Sequence, residues 1–450
     1  MRIVFLMPGG GFPPLGARTR GLTLARGLAA RGHDALAVPL YAPFDPGDLE
    51  EGSPEALPQT TPPPLATPYR PASSGLGLAS PADIPGHMRV EPVHMEFNSP
   101  AWRRVWPGWR LPGPDGKKRN ASAEARRAIC CLSDGYRRPA VLADRLAAWL
   151  ASLLPRPDAV ITLDPLSFRA LSLLRGRCPD IPLMAFTGDG ETGLRRYRPP
   201  ERTTIRRLLR AHAGSIDRVL APGALAAQCA SELLGLPAGR LRLVRPTLGY
   251  RTPPPVEQRL RNPFTIGYLS AISPDGGLDR LARAFHQLVS GLERDARLWI
   301  AGPVLDYSYW KSIRQWFHRA GLLDWVTFFG ALDAEGERKF YRRLSVFAVP
   351  SNHPEAWGGV FLEAMAAGVP VAAPGVGVVA DIMRGAAGGV LLPPDAISLW
   401  AETFALLMDE PATADNLGRR GRARVLRHHA PDAAVDDLIS VLREFPGTGL

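Results

Sequence analysis

The chain has few cysteines, few lysines and no long uncharged apolar run. Its 450 residues include four cysteines, which show neither metal-site spacing nor the density of a disulfide framework: Cys130, Cys131, Cys178 and Cys229. No uncharged stretch reaches the roughly 20 residues that span a bilayer, and the apolar run at residues 1–8 is too short for a signal peptide. These absences favour a cytoplasmic protein with reduced thiols and exclude a disulfide-stabilised secreted domain.

The net charge is +11, and only four of the 54 basic residues are lysines. A basic surplus is typical of proteins that bind nucleic acid, an anionic membrane surface or a phosphorylated ligand. No nucleic-acid-binding motif accompanies it, so we expect no nucleic-acid partner. Residues 202–212 predict a basic amphipathic helix, which suits either peripheral contact with the inner face of a membrane or packing on its own sheet. We favour the second interpretation, with His212 at the boundary of the packed face.

One structural plan occurs twice along the chain: a buried strand, a glycine-containing loop, an apolar-periodic helix and a second strand. The predicted strands are at residues 2–7, 35–40, 264–269 and 296–301, and the second copy has its helix at 278–291. Strands that alternate with helices at this spacing predict right-handed βαβ units and parallel sheets. The fold class is therefore α/β, with two Rossmann-like domains.

A proline-rich linker, residues 246–255, separates the two copies. We expect a first domain at 1–250, a second at 251–428 and a C-terminal helix at 429–450 that returns to the first domain. The first domain carries a proline-rich insertion at about 42–120, too rich in proline and glycine for a continuous helix or a central strand. Its tryptophans and arginines, with Lys117–Arg119, form either an acceptor or membrane-facing surface or an excursion packed on the domain.

Two such domains place the carboxyl ends of their strands across a shared cleft, where parallel sheets bind ligands. The first loop, with Gly10, Gly11 and Gly16, is expected to form one wall. That loop lacks the spacing of a dinucleotide fingerprint, which disfavours a nicotinamide oxidoreductase. Its glycines alternatively serve turn geometry alone.

The segment at residues 351–371, SNHPEAWGGVFLEAMAAGVPV, carries the strongest functional signal. Gly358 and Gly359 allow the backbone close to a bound group, and the helix predicted from Val360 directs its unpaired N–H groups and positive dipole end there. Such a turn suits a phosphate. Glu355 and Glu363 flank it, so one carboxylate could reach a sugar and the other a ribose. The alternative is a buried βα corner with merely solvated or capping glutamates.

This segment resembles the donor-site signature of retaining glycosyltransferases of family 4, which have the GT-B fold. The family pattern has Pro-Ser, Glu-x-Phe-Gly, Leu-Glu-Ala and Gly-x-Pro-Val in that order, and Trp357 stands in place of the Phe. The resemblance implies metal-independent transfer of a sugar from a UDP- or GDP-type donor, with retained configuration and no cofactor. The acceptor would be a small molecule, a glycan or a lipid-linked sugar.

The same resemblance assigns expected roles to individual residues. Glu355 would hold the sugar and Glu363 the ribose, while the amides from Gly358 to Val360 would bind phosphate and the turn at Gly330 would face the base. Asp189 lies in the segment at residues 183–191, which is predicted to be a strand that ends in a glycine loop, in the region where the family often has a histidine. It is expected either to orient sugar or acceptor hydroxyls or to cap its loop.

The loop at residues 270–277 departs from the family pattern. Ala271 and Gly276 stand where the family carries an arginine and a lysine that neutralise the donor diphosphate. Loss of such electrostatic help commonly lowers the rate by about a hundredfold or more per group. Either Ser270, Ser273, backbone amides and an arginine from elsewhere substitute for these cations, or the donor is atypical. Alternatively, the chain is a catalytically degenerate GT-B protein that binds a sugar, a nucleotide or a partner as a scaffold.

Overall fold

The computed structural model describes most of the chain outside the proline-rich insertion. The described residues are 1–7, 15–39, 88–90, 129, 132, 137–163, 165–186, 194, 197–248, 263–332, 334–351, 358–383 and 388–446. They divide into two compact units. Unit one contains the described residues up to Val244 and those from Val435 onward, and unit two contains Arg245–Ala434.

Unit one is built on a parallel sheet of seven strands in the order β3-β2-β1-β4-β5-β6-β7. The strands are β1 (Arg2–Met7), β2 (Asp34–Pro39), β3 (Met88–Val90), β4 (Ala159–Thr162), β5 (Leu183–Phe186), β6 (Arg218–Ala221) and β7 (Leu241–Leu243). Every residue of β4 and β5 is buried, as expected for strands that are covered on both faces. The strand order reverses direction between β1 and β4, which is where ligands commonly bind in sheets of this type.

The helices described in unit one cover both faces of this sheet, as right-handed crossovers require. They are α1 (Leu15–Ala30), α2 (Arg137–Ser152), α3 (Phe168–Arg177), α4 (Pro199–Ala213) and α5 (Ala224–Leu234). The basic helix α4 buries Ile205 and Leu209, while Arg207 is exposed. Its His212 ring lies 2.7 Å from the carbonyl oxygen of Leu132, so this histidine contacts the protein's own backbone at the edge of the packed face.

Unit two has a parallel sheet of six strands in the order β10-β9-β8-β11-β12-β13. The strands are β8 (Phe264–Leu269), β9 (Ala296–Ala301), β10 (Val326–Phe328), β11 (Val346–Ala348), β12 (Val371–Ala373) and β13 (Gly389–Leu391). All six residues of β8 are buried. The bounds of β8 and β9 are those predicted from the sequence.

The helices of unit two complete the α/β layers. They are α6 (Leu278–His286), α7 (Tyr307–Arg319), α8 (Ala334–Arg342), α9 (Gly359–Ala366), α10 (Gly377–Ile382), α11 (Ile397–Asp409) and α12 (Pro411–His428). The helix predicted at 278–291 is found as α6 followed by one π-helical segment, Gln287–Gly291. The last helix, α13 (Pro431–Leu442), begins in unit two and ends in unit one.

The end of the chain is attached to unit one by ion pairs. Asp436 accepts a hydrogen bond of 2.8 Å from Arg31. Glu444 accepts one of 2.8 Å from Arg218 and also pairs with Arg242. These bonds lower the pKa of Glu444, with the hydrogen bond from Arg242 as the largest cause.

Only residues 88–90 of the predicted insertion are described, and they form the edge strand β3. The arginines and tryptophans of the insertion, with Lys117–Arg119, lie outside the described residues. Among the helices that the structure does describe, none has both the length and the apolar character needed to cross a bilayer.

Candidate functional site

The loops that follow the strands of unit two form one connected layer. All strand pairs in this sheet are parallel, so the loops after β8, β9, β10 and β11 lie at the same edge. The Ser270 amide donates to the carbonyl oxygen of Ala301 at 3.2 Å, and the Gly302 amide donates to that of Gly330 at 2.7 Å. Ser270 and Gly330, both predicted as site residues, therefore lie in adjoining loops of this edge.

Close backbone contacts at this edge require glycine at two positions. Gly302 has φ 128°, and a Cβ there would lie 1.9 Å from the carbonyl oxygen of Ser270. Gly277 has φ 71°, and a Cβ there would lie 2.0 Å from the carbonyl oxygen of Pro350. The hydroxyl of Ser351 also donates to the carbonyl oxygen of Asp275 at 2.8 Å. The loop after β8 and the start of the signature segment therefore form one fixed surface.

Helix α9 begins at this surface, one residue before the predicted start. Gly358 precedes it with φ 64°, and a Cβ there would lie 2.4 Å from Cδ1 of Ile382. The first turn contains no acidic residue. The amides of Gly359, Val360 and Phe361 have no partner within the helix, and the positive end of the helix dipole lies with them. This end of α9 has the chemistry of an anion-binding turn.

Two arginines of α12 bind the carboxyl ends of α9 and α10. Arg422 donates to the carbonyl oxygen of Ala366, and burial lowers the pKa of this arginine. Arg424 donates to the carbonyl oxygens of Ile382 at 2.6 Å and Asp381 at 3.3 Å. Cations at the carboxyl end of a helix interact favourably with its dipole. Arg422 therefore binds α9 at the end opposite Gly358, whereas Arg424 binds α10 at Ile382, the residue whose side chain meets Gly358.

Glu363 lies on α9, half-buried, one turn beyond the glycines. The hydroxyl oxygen of Tyr341, on α8, is 3.4 Å from Oε2 of Glu363 and 3.2 Å from the carbonyl oxygen of Val360. Tyr341 is 1% exposed. The site residues predicted from the sequence do not include this tyrosine. A tyrosine on the buried face of a helix is the signal that could have drawn attention to it, because its hydroxyl requires a partner.

The loop after β8 carries no side chain at position 276. Gly276 is buried, and a Cβ there would lie 2.2 Å from the hydroxyl oxygen of Tyr268. The Ser273 carbonyl accepts the Gly276 amide at 3.1 Å and so begins the short turn that leads to α6. The tight fit at Gly276 could not be read from the sequence, because it depends on the tyrosine ring beneath the loop.

A tyrosine also binds the first turn of α6. The Tyr309 hydroxyl donates to Oδ1 of Asp279 at 2.8 Å and accepts from the Asp279 amide at 2.9 Å. Burial, together with the hydrogen bond to this carboxylate, raises the pKa of Tyr309. One side chain thus satisfies an amide of the first turn and fixes the neighbouring carboxylate.

Several predicted site residues lie outside the described part of the chain, and their positions stay predictions: Glu355, Asp189, Gly10 and Gly11. Gly16 is the second residue of α1. Within the described ranges, no group of three or more histidine, cysteine, aspartate or glutamate side chains could hold a metal ion.

Comparison with known families gives a match for part of the chain. Residues 254–424 match the family model described as "Glycosyl transferases group 1". This segment, which includes the turn at Gly358 and helix α9, is therefore similar to the group 1 glycosyl transferases.

Similar curated proteins are also glycosyltransferases. A GDP-mannose-dependent alpha-(1-6)-phosphatidylinositol monomannoside mannosyltransferase of Mycobacterium tuberculosis is 27% identical over 222 residues, which cover 46% of this chain and 57% of that protein. A D-inositol 3-phosphate glycosyltransferase of Gordonia bronchialis is 27% identical over 239 residues, which cover 50% of this chain and 51% of that protein. The chain thus spans just over half the length of these relatives.

Solved structures establish the fold over nearly the whole chain. Sucrose-phosphate synthase from Thermosynechococcus elongatus covers 99% of each chain with a TM-score of 0.67 and 19% identity. The Anabaena protein HepE, solved in complex with UDP-glucose, covers 99% of this chain and 100% of its own, with a TM-score of 0.67 and 15% identity. The chain has the GT-B fold.

Proposed function

We propose that this protein is a retaining glycosyltransferase that transfers a sugar from a UDP- or GDP-type nucleotide sugar to a hydroxylated acceptor without a metal ion. The observation that carries the proposal is the start of α9. There a left-handed glycine opens a helix whose first turn bears no carboxylate, and Glu363 follows one turn later. The family match of residues 254–424 supports the same reading.

In this proposal different residues of unit two bind different parts of the nucleotide-sugar donor. The amides from Gly358 to Val360 bind the diphosphate, and Glu363 accepts hydrogen bonds from the ribose hydroxyls. Ser270 and Ser273 contribute neutral donors in place of cations. The turn at Gly330 contacts the base through its backbone.

In the proposed chemical step, Glu355 lies beside the sugar. The bond between the anomeric carbon and the phosphate oxygen breaks, and the nucleoside diphosphate leaves. The acceptor hydroxyl oxygen bonds to the same carbon on the same face, which retains the configuration, and its proton passes to the oxygen of the departing diphosphate. Glu355 holds sugar hydroxyls and stabilises the positive charge that develops on the ring. Asp189 orients sugar or acceptor hydroxyls, and the loop with Gly10, Gly11 and Gly16 shapes the acceptor site.

The acceptor is proposed as a small molecule, a glycan or a lipid-linked sugar. The names of the relatives support this range, since they include phosphatidylinositol monomannoside, inositol phosphate and, for a Streptomyces kanamyceticus enzyme, 2-deoxystreptamine. The protein would act in the cytoplasm, and at the inner face of the membrane where the acceptor is lipid-linked.

A panel of UDP- and GDP-sugars tests the proposal through two measurements, thermal stabilisation and slow release of nucleotide. Glu355→Gln is expected to lower nucleotide release by at least about a hundredfold, as loss of one charge-stabilising group commonly does. Glu363→Gln is expected mainly to weaken nucleotide binding, by about fivefold to tenfold. The matched control is Glu402→Gln, an exposed carboxylate on α11. Wild-type behaviour of both site variants would remove this site from consideration.

A second candidate function is binding without catalysis. It is favoured by the loop after β8, where Ala271 carries no charge and the Tyr268 hydroxyl leaves no room for a side chain at Gly276. A degenerate GT-B protein that binds a sugar, a nucleotide or a partner would show stabilisation by a nucleotide sugar with no turnover. Release of nucleotide supports the enzyme instead.

A further inference from the structure

We propose that Tyr341 is a positioning residue that fixes the Glu363 carboxylate for a nucleotide ribose. The inference rests on the proposed function, because it assigns a partner to a residue of that same site. It adds a side chain from α8 that contacts neither phosphate nor sugar and acts through Glu363.

The contacts come from a single hydroxyl between two acceptors. The Tyr341 hydroxyl oxygen lies 3.2 Å from the carbonyl oxygen of Val360 and 3.4 Å from Oε2 of Glu363. A phenol has one proton, so it donates to one of these oxygens at a time. Val360 lies in the first turn of α9 and Glu363 in the second. The same hydroxyl is therefore within hydrogen-bond distance of the carboxylate and of the turn that would bind phosphate, and it links their positions.

The ring that carries this hydroxyl is held by aromatic neighbours. Its centroid lies 6.0 Å from that of Phe340 and 5.6 Å from that of Phe347, both edge-on. Phe347 in turn lies 5.7 Å, edge-on, from Phe361 of α9. Because strand β11 and helix α9 both contribute to this stack, the hydroxyl has little freedom to move away from the first turns of α9.

A fixed carboxylate favours ribose recognition for a geometric reason. Ionised glutamate only accepts hydrogen bonds, and the two hydroxyls of a ribose both donate to it well only when the carboxylate plane is correctly turned. A hydrogen bond to Oε2 restricts that rotation. Loss of this hydrogen bond removes one restraint on the carboxylate, so the ribose must order the side chain further on binding.

The test measures how strongly binding depends on the ribose hydroxyls. The dissociation constants of UDP, GDP and their 2′,3′-dideoxy analogues are measured on the full chain, and the ratio of analogue to ribonucleotide defines the preference. Tyr341→Phe is expected to reduce this ratio by about fivefold, the effect of one hydrogen bond. In a Glu363→Gln background the same change is expected to have no further effect on the ratio. The control is Tyr307→Phe, which removes an exposed hydroxyl on α7.

The possible results distinguish failure of the role proposed for Tyr341 from failure of the proposed function. A purely structural role for Tyr341 would weaken ribonucleotide and analogue alike, and an unchanged ratio would overturn the inference while leaving the function intact. If wild-type protein binds neither UDP nor GDP, the function and the inference both fail. If Tyr341→Phe does not fold, Glu363→Asp withdraws the carboxylate from the same hydroxyl, and a wild-type ratio in that variant would contradict the proposal.

Discussion

The turns before the strands of unit one and the loops after the strands of unit two are held by different residues. In unit one, arginines bind backbone carbonyls in the turns that precede the strands. Arg175 donates to the carbonyl oxygens of Ile181 at 3.2 Å and Ser215 at 3.3 Å, just before β5 and β6. In unit two, glycines at Gly277 and Gly302 bring one loop backbone directly against another after the strands. Side chains therefore fix the amino edge of one sheet, and close backbone packing fixes the carboxyl edge of the other.

This difference explains part of the basic surplus. Arg240 donates to the carbonyl oxygens of Gly214 at 3.0 Å and Ile216 at 3.2 Å, and Arg210 donates to that of Leu233 at 2.9 Å. Such arginines serve the protein's own backbone, so the net charge is a poor guide to an external polyanion. At the carboxyl edge of unit two, backbone amides are the groups proposed to bind the diphosphate. Glycine positions these amides without adding a side chain to the site.

The largest expected effect is that of a methyl group at Gly277. The left-handed φ of 71° disfavours alanine, and its Cβ would lie 2.0 Å from the carbonyl oxygen of Pro350. We expect Gly277→Ala to lower the free energy of unfolding by more than about 3 kcal/mol, because the clash adds to a left-handed penalty of about 1–2 kcal/mol. Urea denaturation followed by circular dichroism measures this change.

The matched control is Gly321→Ala. Gly321 has φ 68°, but a Cβ there would meet nothing within 4 Å. It should therefore cost only the left-handed penalty, about 1 kcal/mol. Equal costs at both positions would show that backbone contact does not hold the carboxyl edge, and the contrast between the two units would be lost.

His429 sharpens the comparison because it lies in unit two and, like Arg422 and Arg424, binds the backbone through a side chain. Its Nδ1 is 2.8 Å from the carbonyl oxygen of Pro246, which only accepts, so Nδ1 carries the proton. Burial lowers the pKa of His429 to about 4, with Arg424, His428 and Arg245 also disfavouring the charged ring. The neutral histidine therefore links the residue that follows α12 to Pro246, in the segment just after Val244, by a hydrogen bond.

The expected pH dependence follows from this lowered pKa. Below the ordinary histidine pKa of about 6.5 the unfolded chain binds a proton that the folded protein does not, so stability falls as the pH falls from 6.5 to 4. The loss should reach about 3 kcal/mol at pH 4. Urea denaturation at several pH values measures the slope, which His429→Asn should reduce. His428→Asn, at an exposed position, should retain it; retention in both variants would contradict the assignment.

The sequence predicted the elements of the fold well and the contacts between them poorly. Strands β8 and β9 were predicted with their observed bounds, because both are mainly apolar runs between turn residues; all of β8 is buried, and in β9 only Arg297 and Trp299 are half-buried. The start of α9 was predicted within one residue, since the glycine pair at Gly358 marks it. Periodicity missed the end of α6 at His286, because a π-helical turn continues the apolar pattern of the helix.

The interactions that organise the candidate site join residues far apart in the chain. Gly277 contacts Pro350, Tyr341 contacts Glu363, and Arg422 binds Ala366 across 56 positions. No local spacing encodes such pairs, because they arise only when the sheet brings separate loops together. The roles of Glu355 and Asp189 likewise stay predictions.

The smallest of these expected effects concerns the arginine contacts of unit one. Arg175 pairs with Asp217, which also accepts the Leu183 amide at 2.8 Å, and both side chains are partly buried, with exposures of 25% and 33%. Removal of the guanidinium leaves three carbonyl oxygens, those of Pro179, Ile181 and Ser215, and a carboxylate with fewer donors in a sheltered turn. We expect Arg175→Gln to lower the free energy of unfolding by about 1–2 kcal/mol, measured by urea denaturation.

Arg177→Gln is the control on the same helix. Arg177 lies 3.6 Å from Asp144, and the two side chains are 41% and 47% exposed, so this pair should contribute less than about 0.5 kcal/mol. Added salt should weaken the effect of Arg177 more than that of Arg175, because water screens the exposed pair. If Arg175→Gln is no more harmful than Arg177→Gln, arginines do not hold the amino edge. Only the glycine contacts of unit two would then show a large loss of unfolding free energy on substitution, and the contrast between the two edges would rest on them alone.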